Sequence, residues 1–354
     1  MSLTHFPNGI ATGVLVGPNA GVVTPMGSFP SATGQMSGYQ GVQFVSSDKG
    51  NDSYSGLTPT RPLKNLDTAF ARCNGGQNEI IYVLGSSASV NFSTGNSWSP
   101  TNGSTGLLWN KNLTHLIGLS APGASGMRAH ISNGASTNLF TPLITVSGNG
   151  CYFSNVEFFN GGADATKAAV CVLVTGSFNC FENCQISGGG NATSAADVTC
   201  RSLVITGNGT GGGGENTFRH CYIGLTTIPR GGAAASELEM TAHTPRNWFE
   251  DCTFAGAASV STCLLVKIGA GGIQDFVVFR NCMFINPGTS HGSDSIYAQA
   301  MSVNSAPDGV VMLHNCLSGG ASVSFTKFQT TASGVVFGDN PGSAASTYGV
   351  AATS

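Results

Sequence analysis

Carboxylates are scarce in this chain, 17 aspartates and glutamates among 354 residues, so few places could pair two of them for chemistry. Acid/base cleavage of a glycosidic bond needs such a pair about 5 to 10 Å apart in a groove. One cluster qualifies. Glu237 and Glu239 stand two apart on a strand-like run and so share one side of it, and Glu250 and Asp251 follow on the next strand. These four are the fallback catalytic set. A simpler reading competes: aligning Leu238-Glu239-Met240 with Val266-Lys267-Ile268 sets Glu239 beside Lys267 as a solvated cross-strand pair. Asp251, moreover, falls at a recurring turn position. On balance the sequence predicts no catalytic residues.

Metal and cofactor chemistry find no better footing. The seven histidines (5, 115, 130, 220, 243, 291 and 314) are scattered, and the eleven cysteines show neither CxxC pairs nor zinc spacing. Most of the cysteines fall inside apolar strand patterns and read as reduced core thiols made in a cytosol. The run Asn208 to Gly214 lacks the Gly-Lys-Ser/Thr ending of a phosphate loop and leads into a strand. No metal and no cofactor are expected. With 9% charged residues, a net charge of −3 and no basic run, the chain offers nothing for nucleic acid or an anionic membrane. The first residues lack the charged and apolar regions of an export signal, and no stretch is apolar enough to span a bilayer.

What would position these residues is a repeat. Phe153-Ser-Asn155-Val-Glu-Phe158 recurs as Phe181-Glu-Asn183-Cys-Gln-Ile186, Phe218-Arg-His220-Cys-Tyr-Ile223, Phe249-Glu-Asp251-Cys-Thr-Phe254, Phe279-Arg-Asn281-Cys-Met-Phe284 and a degraded Leu313-His-Asn315-Cys-Leu-Ser318. Alternation breaks at the third position, always Asn, His or Asp, the non-glycine residues that best tolerate left-handed backbone. A one-residue bend there joins two short strands while both keep apolar groups inward. Asn155, Asn183, His220, Asp251, Asn281 and Asn315 would form a ladder at one corner, with Cys184, Cys221, Cys252, Cys282 and Cys316 in an interior file of free thiols. Each unit follows another strand-like run, and Gly/Asn-rich turns link most of the pairs. The fold predicted is all-β: a right-handed, single-stranded parallel β-helix (a solenoid) over residues 42–338.

Solenoid ends need caps. Residues 48–73 supply one: a turn cluster from Asp48 to Leu57, Pro62 where a helix could begin, then Leu63, Leu66, Ala69, Phe70 and Cys73 at helical spacing. Gly50-Asn51-Asp52, Gly56-Leu57, Pro62-Leu63, Leu66 and Ala69 resemble the opening segment of pectate-lyase-like parallel β-helices, common in phage tailspikes and carbohydrate-active proteins. With the repeats, the resemblance runs from residue 42 to about 338. It is specific for fold and weak for function. A lyase of that kind would need clustered acids for calcium and a basic proton abstractor, and no such acidic cluster is visible.

Residues 1–41 form an extended, Pro/Gly-rich N-terminal arm, and residues 339–354 a Gly/Ala/Ser-rich tail. The stretch Thr4 to Gly9 resembles the start of some small structural proteins of tailed phages, which makes His5, Phe6, Pro7 and Asn8 the candidate anchor; an arm that folds back along its own helix is the equal alternative. The resemblance implies a structural virion protein, made in the host cytoplasm. It would be a homotrimeric capsid decoration (cement or head-spike) protein held to the major capsid protein or another virion protein through residues 1–41. The alternative is a tailspike-type module that binds or depolymerises a host glycan.

Overall fold

The computed structural model describes residues 41–85, 106–121, 123, 126–127, 129–132, 140–162, 170–207, 212–269, 271–286, 299–303, 308–320, 328–330 and 335–337. Apart from Gly41, the expected arm and tail lie outside them. The described chain is a parallel β-helix with three sheets. Sheet 1 has ten strands, from Val42–Val45 to Val335–Phe337; sheet 2 has seven, from His130–Ser132 to Leu317–Gly320; sheet 3 has eight, from Leu107–Trp109 to Phe328–Thr330. A typical coil visits sheet 3 (Ser236–Thr241), sheet 1 (Thr244–Glu250) and sheet 2 (Thr253–Ala255), then climbs to the next, and neighbouring strands pair in parallel. Right-handed winding is what the twist of L-residue strands favours for such crossovers.

Register puts identical positions one above another. Phe153, Phe181, Phe218, Phe249 and Phe279 are aligned, and their rings stack at 4.5 to 4.8 Å with planes within 10°. That spacing is the strand separation itself, so aromatic contact costs the backbone no distortion. Beside them runs the sulfur file, in which each thiol bridges two carbonyls at the bend. Cys221 Sγ donates to Phe181 O (3.4 Å) and Arg219 O (3.3 Å), and Cys184, Cys252, Cys282 and Cys316 repeat the pattern. Burial pushes the Cys184 and Cys221 thiols well above their ordinary pKa, which keeps them protonated and able to donate.

The bend residues are left-handed: Asn155, Asn183, His220, Asp251, Asn281 and Asn315 have φ between 47° and 54°. At the upper coils their side chains link, Asn315 Nδ2 donating to Asn281 Oδ1 (2.9 Å) and Asn281 Nδ2 to Asp251 Oδ1 (3.0 Å).

A second ladder occupies the corner between sheets 3 and 1. Asn179, Asn216 and Asn247 are fully buried, and each side chain ties adjacent coils together. Cys151 N donates to Asn179 Oδ1 (2.8 Å), Asn179 N to Asn216 Oδ1 (2.9 Å) and Asn216 N to Asn247 Oδ1 (3.0 Å). Their amides in turn donate to the carbonyls of Gly148, Gly176 and Gly213. Where the chain turns and strand pairing lapses, the short asparagine amide supplies donor and acceptor together to groups that would otherwise be orphaned.

The cap is helix α1, Leu66–Arg72, with Leu63, Leu66, Ala69, Phe70 and Cys73 buried in the core cluster. It begins four residues later than the proline suggests. Pro62 precedes Leu63, which bridges to Val45 in extended form, and the turn cluster holds the helix start instead. Asp52 Oδ1 accepts from Lys64 N and Asn65 N (3.0 Å each), while Arg72 donates back to the carbonyls of Asp52, Tyr54 and Ser55. Lys111 Nζ satisfies the other end through Phe70 O (2.6 Å) and Cys73 O (2.5 Å).

Candidate functional site

The four fallback acids do not converge. Glu237 and Glu239 lie on Ser236–Thr241 in sheet 3, whereas Glu250 ends a strand of sheet 1 and Asp251 is the bend that follows. Each is already engaged. Glu237 and Arg230 are both fully buried and paired through two contacts, Nε to Oε1 (2.9 Å) and Nη2 to Oε2 (2.6 Å). Ser202 Oγ donates to the same carboxylate (2.6 Å), and Arg230 Nη1 also reaches Gly188 O (2.8 Å). The enclosure is close enough that a Cβ on Gly189, whose φ is +61°, would sit 1.8 Å from Arg230 Nη1.

Glu239 lies between Arg201 Nε (2.8 Å) and Lys267 Nζ (2.8 Å), and its strand register with Lys267 matches the alignment of the two runs. Burial raises its pKa, but the hydrogen bonds and charges of Arg201 and Lys267 outweigh burial and hold the carboxyl below its ordinary value. Glu250 takes Arg219 (3.2 Å) and Arg280 (3.3 Å) from the coils on either side. Asp251 Oδ2 faces His220 Nε2 at 3.5 Å. A general acid or nucleophile needs a carboxyl open to substrate, and here Glu237, Glu239 and Glu250 are each matched by cations, which leaves Asp251 alone without a second open carboxylate beside it.

A cleft of about 310 Å³ opens at the outer corner, lined by Gly123, Met127, Asn183, His220, Cys221, Tyr222, Asp251 and Thr253. Its floor continues a row of sheet 2 in which His130, Glu157, Gln185, Tyr222, Thr253 and Met283 are stacked in register. The first three are buried to within 3% and the last is 41% exposed, so the row passes from roofed to open. Residues of the roof bond to it: Gly126 N donates to Gln185 Oε1 (3.0 Å), and the Met127 N–H to Glu157. Burial pushes the Glu157 carboxyl up to about 7, and its Oε2 has no hydrogen-bond partner among the described residues. The cleft thus offers amide, imidazole, phenol and hydroxyl groups to a polar ligand, without a pair of open carboxylates.

Three features escape the sequence reading. Arg230 sits in a Pro-Arg-Gly-Gly turn that carries no periodic signal. Arg201 opens the strand Arg201–Thr206, where no repeated residue type marks it. Glu157 escapes it too, although it stands at the fifth position of the first repeat, in the row that Gln185, Tyr222, Thr253 and Met283 continue once the units are aligned. The anchor candidates His5, Phe6, Pro7 and Asn8 lie outside the described residues. Among those described, no group of three or more His, Cys, Asp or Glu could hold a metal ion, and no helix is long and apolar enough to cross a membrane.

Comparison with known proteins gives structures only. No protein-family model matches the chain, and no curated protein matches it. A rhamnogalacturonan lyase superposes with a TM-score of 0.56 at 13% identity, over 84% of this chain and 72% of that one. Pectate lyase Pel9A gives 0.53 at 18% identity, over 84% and 68%. Identities this low carry the fold and nothing finer, so what the likeness and the three stacked parallel sheets establish together is a pectate-lyase-like parallel β-helix.

Proposed function

We propose that this chain is a structural, non-catalytic virion protein of a tailed phage: a rigid rod that decorates the capsid as a homotrimer, anchored through its N-terminal arm. One observation carries the non-catalytic part. Glu237, the best-placed carboxylate of the best candidate cluster, is sealed without solvent access against Arg230, Glu239 and Glu250 are ion-paired, and Asp251 is taken up by the bend ladder. Stacked aromatic rings, core thiols and buried asparagines make a stiff body, as a particle component needs. The virion assignment itself rests on the resemblance of Thr4 to Gly9 and of the capping segment, and on the low surface charge.

Deleting residues 1–10, which removes His5 to Asn8 and spares the folded body, tests the anchor. The truncated protein is expected to fold and to be absent from particles; normal incorporation would remove the anchoring proposal.

The second reading, a glycan-binding or glycan-cleaving tailspike module, is favoured by the likeness to two lyases and by the polar cleft at Tyr222. Incubation with host-surface polysaccharide separates the two. Released oligosaccharide that is lost on Glu237→Gln or Glu250→Gln would overturn the non-enzyme reading, and binding without release would place a glycan partner on a structural rod.

A further inference from the structure

Sheet 1 carries charge along both margins of its outer face, and in three successive coils the two margins have opposite signs. At the corner with sheet 3, Arg246 pairs with Glu215 of the coil below (Nε to Oε1, 2.8 Å) and with Asp275 of the coil above (Nη1 to Oδ2, 2.5 Å). These three side chains are 35 to 48% exposed. At the corner with sheet 2, Arg219, Glu250 and Arg280 are in register, and Glu250 pairs with both arginines. Coil by coil, Glu215 is therefore opposite Arg219, Arg246 opposite Glu250 and Asp275 opposite Arg280. Below them Glu182, held by the Tyr152 hydroxyl, precedes the pattern, and above them His314 and Gly309 follow it, so the sign code spans these three coils.

Between the margins, roughly 13 Å apart at four residues of strand, runs a stripe of Thr217, Trp248, Val278 and Met312 in one register row. Trp248 and Met312 are 40% and 39% exposed, and the Phe276 ring stands edge-on to Trp248 with centroids 6.2 Å apart. An apolar centre with Trp and Met, rimmed by Arg and acids, has the composition of a protein interface.

We propose that copies of this chain meet through this face, parallel and level, the Trp248 stripe central and the Glu215–Arg246–Asp275 margin of one copy against the Arg219–Glu250–Arg280 margin of the next. The partner is a second copy because the face is complementary to itself. Rotation about an axis parallel to the rod brings unlike margins together at equal height, and all three meetings then join opposite charges. A parallel slip of one coil sets like charges against each other. Turning one copy upside down sets each margin against itself, Glu250 on Glu250 and Arg246 on Arg246, and a one-coil slip repairs only two of the three meetings. Since each charge already has a partner in its own chain, the margins act mainly by rejecting wrong alignments, and the stripe supplies the attraction. The number of copies rests on the homotrimer of the proposed function; the face, direction and level rest on these residues and hold for a pair as for a ring of three.

Light scattering on dilution series of the full-length protein tests the proposal. Arg219→Glu, Glu250→Arg and Arg280→Glu together reverse one margin and keep its internal ion pairs in reversed form, so the rod is spared while like charges meet between copies. Association is expected to weaken by about tenfold or more. Adding Glu215→Arg, Arg246→Glu and Asp275→Arg reverses the other margin too, and association is expected to return to within about threefold of wild type. Unchanged association of the three-residue variant overturns the proposal, as does failure of a folded six-residue variant to recover. Should either set misfold, Arg280→Lys replaces it: carbodiimide coupling in a mixture of isotopically heavy and light chains is expected to join position 280 to Asp275 of a chain with the other label, and absence of that bond overturns the proposal equally. A trimer indifferent to margin reversal overturns this face and leaves the homotrimer standing. A margin-dependent pair upholds this face and removes the trimer, and a chain that stays monomeric at every concentration removes both.

Discussion

A polar side chain turns each of two corners in every central coil, and the two corners ask different things of it. At the corner between sheets 1 and 2 the shared requirement is backbone shape, φ near +50°, while the side chains' surroundings vary from the buried Oδ1 of Asn155 to the exposed His220 and Asp251. Any residue that tolerates that geometry serves, and the position drifts from Asn183 to His220 to Asp251. At the corner between sheets 3 and 1 the requirement is two hydrogen bonds in a dry interior, which only the amide meets, so Asn179, Asn216 and Asn247 hold without drift. The ladder stops at Cys151 below and Val277 above, where the same register position is apolar. Shape tolerates variety, and buried hydrogen bonding does not.

The largest effect should come from breaking the buried ladder at its middle. Asn216→Leu keeps the branched shape but orphans Asn179 N and Gly176 O, each worth about 1–3 kcal/mol when buried without a partner, so a loss of about 3 kcal/mol is expected in denaturant unfolding. A loss under 1 kcal/mol would mean that water or backbone relaxation replaces the amide, and the distinction between the corners would fail.

Almost the same size of effect is expected where the outer corner is roofed. Glu157 stands two residues beyond Asn155, and burial raises its carboxyl to about 7 from an ordinary 4.5, against the pull of the Met127 N–H. Between those values the folded state keeps a proton that the unfolded chain releases. Stability from this group is therefore full below pH 4.5, declines as pH rises, and is lost above 7, a change of up to about 3 kcal/mol. His115, lowered to about 4 by burial, works the other way, costing stability as pH falls from 6.5 towards 4. The difference between wild type and Glu157→Gln isolates the first term, and identical pH slopes in the two proteins would refute it.

These corners also show what could be read in advance. The outer one announced itself because a bend interrupts alternation at a fixed place in every unit, and Asn, His and Asp share the property that fills it. From it followed the parallel stacking, the bend ladder and the sulfur file. The buried ladder lies two residues before each phenylalanine, yet in an Asn-rich chain three more asparagines carry no contrast, and their meaning depends on which carbonyls are left unpaired across 30 or more residues. Arg230 was hidden for the same reason. Its partner Glu237 is seven residues away, but the pair becomes intelligible only when Ser202 and Gly188 of the coil beneath close around it. Patterns set by local backbone survive in sequence, and those set by enclosure do not.

A smaller effect is expected from changing the shape requirement alone. Asn183→Ala puts a residue with no local compensation into left-handed backbone, at about 1 kcal/mol, whereas Asn183→Gly should be within a few tenths of wild type. If alanine and glycine cost the same, side-chain contacts rather than φ would govern this corner.

The smallest change expected is Asp251→Asn, which keeps the left-handed tolerance and removes only charge. His220 and Asp251 are 3.5 Å apart with side chains 53% and 40% exposed, and solvent and salt screen a pair so open. An asparagine at 251 can still accept from Asn281 Nδ2, so the hydrogen bond that carries the upper ladder survives the substitution. The expected loss is about 0.5 kcal/mol or less, vanishing in high salt. A loss above 1 kcal/mol that persists in salt would show that the outer corner, like the inner one, is held by specific side-chain bonding, and the contrast between the two would then be one of exposure rather than of physical requirement.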